Sequence, residues 1–83
     1  MSIEQQVRNY ILENFLFTND ESVLANDASF LEKGIIDSTG VLEMIFFLED
    51  AFALKIADKE MIPENLDSVN NIVRYVQSKQ ASI

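Results

Sequence analysis

Between Ser38 and Phe52 the chain carries the apolar stripe that restricts its fold more than any other feature. At roughly 100° per residue around a helix axis, Val41, Met44, Ile45, Leu48 and Phe52 fall within about a third of the circumference. A face of that width must be covered by other helices. The opposite arc holds Glu43, Glu49 and Asp50. Among these acids sit Leu42 and Phe46, four residues apart and on the side of Ser38, so both are expected to be exposed. Phe47 lies between the two arcs, and the pattern does not assign it.

The flanking sequence supplies the covering helices. Ser2 followed by Gln5 has the spacing of a capping box, and Ile3, Val7, Tyr10, Ile11 and Phe15 then recur at helical spacing, which predicts a first helix to about Leu16. A short helical segment is expected over 58–62, stopped by Pro63. A last helix starts near Asp67 or Ser68, with Val69, Ile72, Val73 and Val76 on one face and fraying over 80–83. Residues 17–37 are polar and turn-like, yet carry Val23, Leu24, Phe30, Leu31, Ile35 and Ile36. Anchors at that frequency predict a long connection pinned over a helical core, with one short turn over 30–33 ended by Gly34. There is no strand alternation and no internal repeat. The expected fold is all-α: one domain over 1–83, a small bundle of three main helices plus one short helix, with a long first loop.

Composition narrows the chemistry. Fourteen acids against six bases give a net charge of −8 on 83 residues. That balance repels phosphate backbones and anionic membrane surfaces and attracts proteins presenting Lys and Arg. Nucleic acid and membrane are therefore not expected partners. With no histidine and no cysteine, the commonest general base, the commonest metal ligands and any disulfide are missing. The acids Asp58, Glu60, Glu64 and Asp67 read as solvated surface, with Asp58 and Asp67 at cap positions. We expect no enzyme, no catalytic residue and no metal site. The start of the chain has no basic or apolar leader and no stretch could span a bilayer, so the expected location is the cytoplasm and the expected state a monomer.

One hydroxyl stands out. Ser38, between Asp37 and Thr39, opens the strongest helix, where free N–H groups and the helix dipole favour an anion such as a phosphate. Serine and aspartate before an apolar run are also ordinary helix caps, and the residues alone leave both readings open. Gly40 in the first turn lowers helix propensity by up to about 1 kcal/mol relative to alanine. It is expected to leave backbone uncovered beside Ser38, for close approach of a phosphate or a modifying enzyme. Leu42 and Phe46, framed by acids one turn from that serine, read as a docking strip.

The run from Asp27 to Ser38 (Asp27, Ala28, Ser29, Phe30, Leu31, Glu32, Lys33, Gly34, Ile35, Ile36, Asp37, Ser38) closely resembles the acyl carrier protein family, including peptidyl and aminoacyl carriers. The resemblance continues through Leu42, Glu43, 48–52, Ile56, Pro63 and 66–69. It implies that Ser38 is the attachment point for 4′-phosphopantetheine, delivered from coenzyme A by a phosphopantetheinyl transferase that engages Asp37. The arm's thiol would hold an acyl or aminoacyl group as a thioester. Further partners implied are an acyl- or amino-acid-activating ligase and a downstream acyltransferase or synthase. Thr39, Gly40, Leu42, Glu43 and Phe46 are the expected partner contacts. The family most often has leucine where Thr39 stands and a larger or charged residue in place of Gly40, which points to a specialised pathway rather than housekeeping fatty acid synthesis. Methionines at 44 and 61 could re-pack around a guest chain, although a filled core is the expectation for the unmodified protein. The alternative is an acidic helical adaptor that binds a basic partner without a cofactor.

Overall fold

The computed structural model describes residues 2–81. Helix α1 spans Ile3–Ile11 and continues as a π-turn over Leu12–Leu16; α2 spans Ser38–Phe52, the one-turn helix α3 spans Pro63–Leu66 and α4 spans Val69–Ala81. Single 3₁₀ turns lie at Glu21–Val23 and Asp58–Glu60. No strand occurs among the described residues, and no helix there is long and apolar enough to cross a membrane. The all-α expectation of three main helices, a short one and a long first connection holds.

The ends are set by local chemistry. Ser2 caps α1, its hydroxyl accepting from the Gln5 N–H at 3.1 Å. The Gln5 amide turns outward to Asn9 and Glu21 instead of closing a capping box. Pro63 does not simply stop a segment, as the sequence implied. It opens α3 at its first turn, where a missing N–H is harmless. Ser68, not Asp67, caps α4, its hydroxyl accepting from Asn71 at 3.1 Å. Helix α4 is helical through Ala81, and residues 82 and 83 lie outside the described residues.

The core is the expected one. Met44, Ile45 and Leu48 from α2 meet Val7, Ile11 and Leu12 from the first helical stretch and Val69, Ile72 and Val76 from α4, while Val41 and Phe52 are half-buried at its edge. Helix α1 packs along α4, and α3 sits against α4. Phe47 stacks on Tyr10, with ring centroids 4.0 Å apart, and meets Phe52 edge-on at 6.2 Å. Its half-buried place is a stitch from α2 to α1.

The long connection is held by apolar anchors and by two polar clamps. Leu24, Phe30 and Ile36 are buried, whereas Val23 and Leu31 are exposed and anchor nothing. Arg8 on α1 is buried, and its guanidinium donates to the carbonyls of Leu24 at 2.7 Å and Glu21 at 2.8 Å, to Asn26 Oδ1 at 2.6 Å and to Glu21 Oε1 at 3.3 Å. At the far end Asp67 accepts from the Ser29 hydroxyl and, at 3.0 Å, from the Leu31 N–H, while its own carbonyl accepts from Phe30 N–H at 2.8 Å. The turn over 30–33 forms as expected, with Gly34 left-handed at φ 66°.

Glu60 and Asp67, read as solvated surface, are structural, and so is Glu49. Glu49 is half-buried and accepts from the Ile56 N–H at 3.0 Å. Glu60 accepts from Ala57 N–H and pairs with Lys79, both at 3.0 Å. The Ala57 bond first, and Lys79 second, hold its carboxyl below the usual range. Tyr75 is buried with its hydroxyl near Glu60 but outside hydrogen-bond geometry to any described group. Burial, followed by the Glu60 charge, pushes that hydroxyl up to about 12 from its ordinary 10.

Two outcomes are expected. Arg8→Met strands buried carbonyls in the connection but leaves no buried charge, because the Glu21 side chain is 55% exposed. Urea unfolding should show a loss of about 2 kcal/mol, and a loss below about 0.5 kcal/mol would contradict the clamp. The Tyr75 contribution is complete below pH 10, where the unfolded hydroxyl is still protonated, and is lost as pH rises from 10 towards 12. Tyr75→Phe should flatten that alkaline decline in a melting-temperature series without lowering stability at neutral pH.

Candidate functional site

The two clamps deliver residues 37–40 to the head of α2. Asp37, with extended backbone at φ −94° and ψ −177°, is the N-cap. Its Oδ1 accepts from the Gly40 N–H at 2.7 Å, and its carbonyl accepts from the Val41 N–H at 3.0 Å. Ser38 is therefore the first helical residue rather than the cap. Its side chain is exposed, and its hydroxyl has no hydrogen-bond partner among the described residues. The N–H groups of Ser38 and Thr39 likewise have no acceptor there and face outward at the positive end of a 15-residue helix.

Leu42 and Phe46 are 54% and 69% exposed, as the count around the axis predicted, and Thr39 and Glu43 are exposed on the same side of α2. Gly40 departs from expectation. It is buried, so it leaves no backbone uncovered for a phosphate or an enzyme. A Cβ there would lie 2.7 Å from Phe15 Cε1 and 3.0 Å from Ile36 Cγ2. Its glycine identity follows from the close approach of the π-turn and the loop end to α2, and what remains of its surface lines the cleft between them.

A feature that the sequence did not reveal lies beside Ser38. An apolar cavity of about 200 Å³ is lined by Phe30, Leu31, Val41, Met61 and Leu66, with Ser38 at its edge and Asp67 at its polar rim. Met61 borders this space, whereas Met44 is fully buried in the core and does not. The signal available in sequence was weak: Leu31 looks like a loop anchor and Ile62 like the end of a short helix, yet both line the cavity and are exposed. No cluster of acids suited to a metal ion occurs among the described residues.

Comparison with curated proteins decides the family. Over 80 residues, covering 96% of this chain and 99% of the relative, the chain is 34% identical to the acyl carrier protein of Chlamydia trachomatis serovar D. It is 30% identical over 78 residues to the acyl carrier protein of Buchnera aphidicola, covering 94% and 92% respectively. The chain belongs to the acyl carrier protein family. No family model matches it. Members of the family are carriers rather than enzymes and bear a phosphopantetheine group, so a carrier role follows for this chain.

Gly40→Ala tests the local packing. Overpacking costs about 1–3 kcal/mol, and the gain in helix propensity returns about 1. A net loss near 1 kcal/mol is expected, with displaced Phe15 resonances; a stabilised variant with unmoved Phe15 would contradict the close approach.

Proposed function

We propose that Ser38 is the attachment point for 4′-phosphopantetheine and that the chain is a stand-alone carrier of acyl or aminoacyl cargo. The observation that carries this reading is the division of labour at the head of α2. Asp37 takes the capping bond, so the Ser38 hydroxyl is left unengaged and exposed. The outward N–H groups of Ser38 and Thr39 suit a phosphodiester at that position. The residues present fit the group: nothing overlies the hydroxyl, and the adjacent apolar cavity offers the start of an arm or its cargo a dry wall. Bound there, the group supplies the thiol that this cysteine-free chain lacks. The chain's own work is to hold the attachment oxygen at a fixed place and to present a surface beside it.

That surface is the exposed side of α2. Thr39, Leu42, Glu43 and Phe46 give a partner apolar contact at the centre and charge on the rim. The transferase, an activating ligase and a downstream acyltransferase or synthase would read it in turn, with Asp37 beside the serine for the transferase. Thr39, in place of the family's usual leucine, supports service in a specialised pathway. Gly40 drops out of that argument because it is buried.

Incubated with coenzyme A and a phosphopantetheinyl transferase, the chain should gain one phosphopantetheine by intact mass, and Ser38→Ala should gain none. A wild-type chain left unmodified by several transferases would overturn the reading. Asp37→Asn keeps the cap but removes the charge, and should slow loading about tenfold, a loss of about 1.4 kcal/mol, with little change in melting temperature.

A further inference from the structure

The end of the first helical stretch is strained in a way that neither the core nor the carrier reading requires. Residues Leu12–Leu16 wind as a π-turn, which holds one residue more than an α-turn, and the Leu12 carbonyl closes it by accepting from the N–H groups of Phe17 and, at 3.0 Å, Thr18. Phe17 then ends the turn in the left-handed region at φ 54° and ψ 42°, where a bulky side chain is disfavoured. Its side chain is 82% exposed, so burial does not offset that strain. What the turn achieves is the position of Phe15. The Phe15 ring meets Tyr10 edge-on at 5.7 Å and leaves too little room for a Cβ on residue 40, which would lie 2.7 Å from Phe15 Cε1.

We propose that the π-turn is a two-state latch on the head of α2: the π state presses Phe15 against Gly40 and holds the first turn of the helix, and an α-wound minor state withdraws the ring and frees residues 38–40. In α-register each residue after Leu12 is carried further round the axis, which moves Phe15 off Gly40 and releases Phe17 from the left-handed region. Strain at Phe17 opposes the latched state, while the half-buried packing of Phe15 on Tyr10 and Ile36 favours it. Opposed contributions of similar size place the minor state at about 0.1–10% of molecules. Tyr10 stacks on Phe47 with centroids 4.0 Å apart, so withdrawal of Phe15 is also felt further along α2. The latch involves main chain and aromatic packing and makes no use of the Ser38 hydroxyl, so it stands or falls apart from the carrier reading.

The test is nitrogen-15 relaxation-dispersion NMR on the full, unmodified chain. Amides over 13–17 and 38–41 should show microsecond-to-millisecond exchange with one shared rate and one shared population. Phe17→Gly should lower the minor population by about fivefold or more, because glycine suits the left-handed position and disfavours the α-wound alternative. Gly40→Ala should raise that population, since the added Cβ competes with Phe15 for the same space, and should move the Phe15 signals towards the minor-state shifts. Ser38→Ala should leave both rate and population as in wild type, which separates this result from success or failure of cofactor loading. The latch is overturned if the wild-type chain shows no exchange, if the two segments exchange at different rates, or if any of the three variants departs from these directions.

Discussion

Arg8 is a full charge withdrawn from water, and the geometry of the connection follows from the acceptors that make its burial tolerable. A guanidinium has five N–H donors in a rigid fork. Here it is met by two main-chain carbonyls, an amide oxygen and a carboxylate, all from residues 21–26. The side chain therefore fixes the entry of the long connection against α1. Asp67 does the reciprocal work at the exit, an acid on the last helical arm binding the loop turn at Ser29 and Leu31. Between these clamps Leu24, Phe30 and Ile36 insert into the core, and the chain reaches Asp37 with little freedom left.

The head of α2 inherits that constraint. A carrier's attachment oxygen must be found repeatedly by different proteins, which favours a helix start over a free loop. Asp37 ends the connection and caps the helix in one residue, and Gly40 lets Phe15 and Ile36 close against the first turn. Ser38 is thereby held by its neighbours without being used by them. The two spaces beside it differ in character. One is apolar and faces α3; the other, a cleft of about 330 Å³ against the end of the first helical stretch, mixes Asp37, Glu43 and Asn14 with Phe15, Phe17 and Ile35.

Periodicity made the core of α2, the exposure of Leu42 and Phe46 and the three main helices readable in the sequence, because burial of a helix face depends on spacing alone. The long connection was readable only as pinned. Which side chains pin it depends on contacts between residues far apart, such as Arg8 with Leu24 and Ser29 with Asp67, and spacing carries no trace of those. Gly40 was misread for the same reason: a glycine in a first turn looks like open backbone until Phe15 is seen against it. Glu60 and Asp67 likewise looked solvated, because an acid that accepts a main-chain N–H cannot be told in sequence from one that does not. Which of Asp37 and Ser38 caps α2 required geometry, since either side chain could have taken the bond.

On the proposed reading Ser38 is a permanent handle for an exchangeable cargo. The most direct measurement is intact mass with peptide mapping of the protein isolated from its native cells. The account predicts a chain heavier than its sequence, with phosphopantetheine on the peptide containing Ser38 and the cargo, where retained, released by thioester cleavage. A native protein of unmodified mass, or one whose added mass maps away from Ser38, would contradict it.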